Sequence, residues 1–194
     1  NAMPLYRIEQ EFKRNGINVK RQVMANWTIL TSERYLSLLY DRLHEKLLES
    51  DVCQADETTV EVSKDGRSAG TKSYMWVYRT GKMHTSAPII LYNYQKTRNA
   101  SHPEKFLKKF KGVLVSDGYQ AYHSMDKNSP DITVAGCWSH SRRRFSNLVK
   151  SLGKEKSKGT LAQDALKQIS AIYKIESQFS ELEPEERLKQ RQLI

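Results

Sequence analysis

The chain has 194 residues, 38% of them hydrophobic and ten of them tyrosine, a composition that supports a buried core and is unlike that of a disordered chain. Lys and Arg number 32 against 22 Asp and Glu, and the resulting +10 favours polyanionic partners through phosphate contacts and counterion release. No run of about 18 apolar residues is present, which argues against a membrane span, and two cysteines, Cys53 and Cys137, are too few for a disulfide framework, so a reduced, cytoplasmic setting is expected.

Asn1 and Ala2 precede Met3 without a signal-peptide pattern and read as the remnant of a cleaved tag. Over residues 3–49 the pattern is helical. Leu5, Ile8 and Phe12, then Tyr35, Leu38, Leu39, Leu43 and Leu47, recur at spacings of three and four. Pro4 suits a first helical turn, Asn15-Gly16 a stop, and a short helix is predicted from about Lys20 to Leu30. Ser32, with Glu33 beside it, marks a fresh helix start. The first two helices form either a helix-turn-helix exposing Lys20, Arg21, Gln22 and Asn26 to DNA, or a pair that merely packs.

From residue 50 the period changes to two. Strands are predicted over Val52 to Val62, Lys72 to Arg79 and Pro88 to Tyr94, joined by turns at Asp65-Gly66 and Thr80-Gly81-Lys82. His102-Pro103-Glu104 opens a helix reaching Phe110, Val113 to Val115 is a compact strand, and a last strand covers Ile132 to Ala135. From Trp138 the pattern is helical again, interrupted at Gly153 to Gly159, and the chain ends inside a helical pattern, as a truncated sequence would. The expected organisation is a helical segment (3–49), a core (50–152) and C-terminal helices (153–194). The core's order is three strands, helix, strand, short helix, strand, helix. It predicts an α/β fold of ribonuclease-H-like topology: a three-strand meander with a central first strand, extended by parallel strands.

In that topology Asp56, on the first strand, and Asp117, at the end of the fourth, lie on neighbouring strands. Two adjacent carboxylates repel, and a hard cation relieves them. Such a pair can hold Mg2+ or Mn2+ for phosphodiester chemistry. Spacing alone leaves a second reading open, in which Asp56 is a strand-end acid and Asp117-Gly118 a turn.

Five segments bear on this choice: Ala55-Asp56-Glu57-Thr58, Tyr74 to Tyr78 (YMWVY), Ser101-His102-Pro103, Val115 to Tyr119 (VSDGY) and Gly136 to Phe145 (GCWSHSRRRF). Together, and in this order, they resemble the insertion-sequence-66 family of DDE transposases. The resemblance implies a ribonuclease-H-like core with Asp56 and Asp117 as the first two catalytic, metal-holding acids. It also implies double-stranded DNA at transposon ends as substrate and homo-oligomeric assembly on that DNA. The family's third acid, a Glu in a later motif, has no counterpart in this sequence, so little strand transfer is expected of these residues alone. Rival readings are a non-catalytic DNA-binding or assembly module, and a ribonuclease-H-like nuclease or junction resolvase.

Cys137-x-x-His140 has ligand spacing, but a structural zinc takes four ligands, and only Cys53, His44, His84, His102 and His123 could complete it. A structural cluster near the acids is the alternative, similar to an element of other DDE transposase groups. Arg142, Arg143 and Arg144 follow on one helix at about 100° per residue and cannot share a direction, so at least one is expected to be free for phosphate. Tyr119 is placed either to stack on a base or to pack in a loop. Lys108 and Lys109, with Lys105 and Lys111, form a basic surface suited to DNA backbone or to solvent.

Overall fold

The structure, a computed structural model, describes residues 3–62, 66–68, 70–81 and 87–194. Asp65 and Lys82 of the expected turns, His84, and Asn1 and Ala2 lie outside the described residues. The chain divides into two compact units, one ending at Val134 and one beginning at Ala135.

The first unit opens with helix α1 (Leu5–Arg14) and helix α2 (Arg21–Thr31), followed by α3 (Ser37–Leu48). The fresh start expected at Ser32 does not occur. Residues Ser32–Leu36 form a π-helical segment that joins α2 to α3, and Ser32 itself is helical at φ −60° and ψ −49°. No side chain caps this point, so the helix absorbs an extra residue where the sequence offered a cap. Helix α3 is anchored to the core along its length. Tyr40 donates its hydroxyl to Tyr92 O at 3.0 Å, and His44 Nε2 lies 2.8 Å from Phe106 O, with its ring 4.1 Å from that of Phe106.

Five strands follow: β1 (Val52–Glu61), β2 (Lys72–Thr80), β3 (Ile90–Gln95), β4 (Gly112–Ser116) and β5 (Ile132–Gly136), in sheet order β3-β2-β1-β4-β5. Strands β1, β2 and β3 form the antiparallel meander, and β4 pairs with β1 in parallel. A central first strand, flanked on one side by its own meander and on the other by a crossover strand, is the ribonuclease-H-like arrangement.

Between strands run α4 (Ser101–Phe106) and α5 (Gln120–Asn128). Helix α4 ends four residues before the expected Phe110. Phe110 N instead bonds Leu107 O at 2.9 Å, a tight turn that buries both Leu107 and Phe110 and leaves Lys108 and Lys109 exposed outside any helix.

The core lies on one face of the sheet. Alternation along β1 sends Cys53 and Ala55 into it with Trp76 and Tyr78 of β2 alongside, against Leu47, Phe106, Leu107, Tyr122 and Met125 from the helices. Tyr78 stacks on Phe106 with centroids 3.8 Å apart and planes 9° apart, a pairing that contributes about 1 kcal/mol beyond area burial.

The second unit carries the end of β5 and helices α6 (Trp138–Lys156), α7 (Leu161–Gln178) and α8 (Pro184–Gln192). Gly153, at φ 77° and ψ 167°, kinks α6 within the break expected there. Thr160 caps α7 by accepting from Gln163 N.

Candidate metal and nucleic-acid site

Strand pairing positions the two aspartates. The parallel register of β1 and β4 runs Val52↔Val113, Cys53↔Leu114, Gln54↔Val115. Asp56 and Asp117 each stand two residues past the last of these pairs, Asp56 midway along β1 and Asp117 just after β4 ends. Asp56 is exposed, and its Oδ1 accepts from Glu57 N at 2.9 Å. The Asp117 side chain is 23% exposed, and its Oδ1 accepts from Tyr119 N at 2.9 Å. That Asx-type bond turns the chain out of β4. The sequence suggested Gly118 for this turn, yet Gly118 is not among the glycines at positive φ.

Alternation places Glu57 on the opposite face from Asp56, with the buried side chains. Its carboxylate is 2% exposed and is nonetheless satisfied. Arg98 donates to it through Nε at 2.7 Å and also through Nη2, and Tyr122 donates its hydroxyl at 2.9 Å. Arg98 also reaches Asp117, with Nη2 4.0 Å from Oδ2. One guanidinium therefore ties the buried acid of β1 to the acid at the end of β4.

Aromatic rings fix that guanidinium. Its Cζ lies 3.9 Å from the Tyr119 ring centroid, and the Tyr119 hydroxyl donates to Arg98 O at 2.6 Å. Tyr119 packs edge-on against Tyr122 at 5.9 Å, and both neighbour Trp76, the cross-strand partner of Glu57. Burial, and then the nearby Glu57 charge, push the Tyr122 hydroxyl far above the usual phenol range, so it remains a donor. Burial works against the charge of Arg98, but its hydrogen bond to Glu57 and the attraction of that carboxylate outweigh it and raise the pKa.

The chemistry of the donors decides whether a metal fits. Asp56 and Asp117 offer hard carboxylate oxygens, and Mg2+ is commonly held by one or two carboxylates with water completing its shell. Glu57 is committed to Arg98 and Tyr122. Among the described residues there is no group of three His, Cys, Asp or Glu that could hold a metal ion. The residues present suit a water-rich, two-carboxylate site and do not form a closed cage. The same absence applies around Cys137 and His140, at the start of α6, where Cys137 O accepts from His140 N at 3.1 Å and Ser141 N at 3.2 Å.

The other expected nucleic-acid residues are distributed unevenly. Arg142 and Arg143 line a groove between α6 and α7, and Arg144 does not. Lys108 lines a small cavity of about 250 Å3 with Met125 and Ile132, and Lys111 pairs with Asp131 at 3.1 Å. Tyr119 has one ring face covered by Arg98. Glu57 and Arg98 were not legible as site residues. The available signal was the acid at position 57 on a core-facing register, which requires a partner; the partner lies 41 residues away in a loop.

The sheet order and the parallel β1–β4 pairing define a ribonuclease-H-like sheet, with Asp56 on β1 and Asp117 directly after β4. The chain belongs to the transposase IS66 family, whose pattern it matches over residues 1–193. Among relatives, Uncharacterized protein y4qI of Sinorhizobium fredii is 34% identical over 157 residues, covering 76% of this chain and 29% of that protein. Uncharacterized protein y4jD of the same organism is 29% identical over 199 residues, covering 98% of this chain and 38% of that protein. The chain thus spans about a third of the length of these curated relatives. One chain of the cryoEM structure of a simian T-cell lymphotropic virus intasome in complex with PP2A regulatory subunit B56 gamma aligns at 16% identity and a TM-score of 0.35, covering 74% of this chain and 47% of that one.

Proposed function

We propose that the whole protein is a metal-dependent DNA transposase that cleaves and joins transposon-end DNA, and that Asp56 and Asp117 are two of its metal-holding acids. The observation that supports this reading is the register, in which two acids 61 positions apart each stand two residues past the last pair of the parallel strands β1 and β4. Family membership supplies the transposase role. Bound Mg2+ or Mn2+ would stabilise charge on the phosphodiester and assist deprotonation of the attacking water or 3′-hydroxyl.

The chain's own residues do the rest. Tyr119 N holds one oxygen of Asp117 in place, and the Arg98 guanidinium sits beside the other. Glu57 holds that guanidinium through Nε, and Tyr122 donates to the other Glu57 oxygen. Double-stranded DNA is the substrate, with homo-oligomeric assembly on it, in the cytoplasm. The 194 residues alone are expected to bind cation and DNA but to transfer strands poorly, because the third acid implied by the family resemblance is not among them.

Calorimetric titration of Mn2+ into the chain tests the acid pair. Weak binding is expected in the parent and loss of it in both Asp56→Asn and Asp117→Asn. A parent chain with no metal response, or a full-length Asp56→Ala or Asp117→Ala protein that still cleaves terminal-repeat DNA, would overturn the assignment. DNA binding that survives both substitutions while cleavage never appears would favour a purely architectural module.

A further inference from the structure

The second unit contains a feature that the acid pair does not use. On α6, residues Ser139, Arg142, Arg143, Ser146, Asn147 and Lys150 fall at i, i+3, i+4, i+7, i+8 and i+11, one continuous helical stripe. With Ser170 and Tyr173 of α7 they line a groove of about 650 Å3. Its lining holds three fixed positive charges and no carboxylate. Arg142, Arg143 and Lys150 are exposed, and none of them has an ion pair among the described residues. By contrast, Lys158 and Lys167 in the same unit are paired with neighbouring acids, at 2.8 and 3.1 Å.

The other side of α6 behaves differently. Phe145, Leu148 and Leu152 fall off the stripe, and Arg144 lies outside the groove beside them in sequence. Three adjacent arginines are thus divided by helical geometry, two into the groove and one away from it. From Arg142 to Lys150 the helix rises about 12 Å at ~1.5 Å per residue. One strand of a duplex carries a phosphate roughly every 3.4 Å of axis, so the basic stripe matches a short run of phosphates. Serine and asparagine between the cations add neutral hydrogen-bonding groups of the kind that contact phosphate and sugar oxygens. Ser139 Oγ and the Tyr173 hydroxyl, 3.4 Å apart, place a pair of hydroxyls on the groove wall.

We propose that the α6–α7 groove is a sequence-neutral seat for the phosphodiester backbone of duplex DNA, holding the substrate without reading its bases. This rests on the reading of the whole protein as a DNA transposase and assigns one part of that contact. The groove presents an array of cations and hydroxyls suited to an anionic oxygen surface; phosphate contacts of this kind fix position and register without carrying sequence information.

The test uses the 194-residue chain and fluorescently labelled duplexes, one with a transposon-end sequence and one scrambled, measured from low to high NaCl. Arg142→Gln/Arg143→Gln should weaken binding to both duplexes by the same factor. It should also reduce the slope of log affinity against log salt by about 1.8, at ~0.9 per phosphate contact. Arg144→Gln should leave the slope within about 0.3 of the parent, and Arg142→Lys/Arg143→Lys should restore most of it. These side chains are exposed, and unchanged thermal unfolding confirms that each variant is folded. Equal losses in Arg144→Gln and the groove double variant would reduce the groove to a generic basic surface. A larger loss on the transposon-end duplex than on the scrambled one would mean that the groove reads sequence. DNA binding unaffected by the double variant would refute the groove while leaving the transposase reading intact. No DNA binding by the parent, together with no cation response, would remove both.

Discussion

Removing the guanidinium that links the buried acid to the site has a cost that follows from the geometry. In Arg98→Gln, Glu57 would keep a side chain 2% exposed but lose both donors from Arg98, leaving one hydrogen bond from Tyr122. Breaking a fully buried ion pair from one side costs roughly 3–5 kcal/mol. The Arg98 side chain is 41% exposed, so water can partly replace it and the cost falls to about 2–3 kcal/mol. In urea, with a slope of about 2 kcal/mol per molar, the midpoint should drop by roughly 1–1.5 M at constant slope. Glu57→Gln removes the buried charge itself and returns Arg98 to solvent, so its cost should be smaller, about 1 kcal/mol. The double variant should then be little worse than Glu57→Gln, giving a coupling of about 2–2.5 kcal/mol. The assay is urea unfolding followed by tryptophan fluorescence for all four proteins. An Arg98→Gln cost under about 0.5 kcal/mol, or single costs that simply add, would show that the Glu57–Arg98 contact does not hold this corner together.

Two further outcomes follow from the fold. Gly112 opens β4 at φ +141°, and a Cβ there would stand 2.4 Å from Asp51 O, so Gly112→Ala should cost at least about 2 kcal/mol. Gly159→Ala, at φ +72° with nothing within 4 Å, should cost about 1 kcal/mol; calorimetric melting that ranks the two equally would refute the clash. Burial raises the Cys53 thiol from 9.0 to about 12, so its contribution to stability is complete below pH 9 and is lost as pH rises from there toward 12. The stability loss in that window should be shallower in Cys53→Ala by up to about 1.4 kcal/mol per pH unit, as read from urea unfolding at pH 8, 9.5 and 10.5. An unchanged slope would place the alkaline sensitivity elsewhere.

Local patterns were enough to give the strand order. The alternation from Val52, the aromatic run at Lys72 and the short apolar strand before Asp117 each bury side chains at a period the sequence displays, and the observed strands agree within about two residues. That order also put Asp56 and Asp117 on neighbouring strands, Asp56 within β1 and Asp117 just past β4. Helix boundaries were less legible. Ser32 has the chemistry of a cap, but a continuous helix can absorb it as a π segment, and Leu107 with Phe110 ended α4 early because both side chains needed the core. What only the tertiary structure decided is where charges meet. Glu57 follows Asp56 directly in sequence, yet pleating sends it to the other face, where the folded chain supplies Arg98 and Tyr122 from 41 and 65 residues away. The sequence already showed that Arg142, Arg143 and Arg144 cannot share a direction, and the packing of α7 against α6 decides which of them line the groove. Periodicity is a property of neighbouring residues and is written in the sequence; the pairing of a buried charge is a contact across the fold, and no local pattern encodes it.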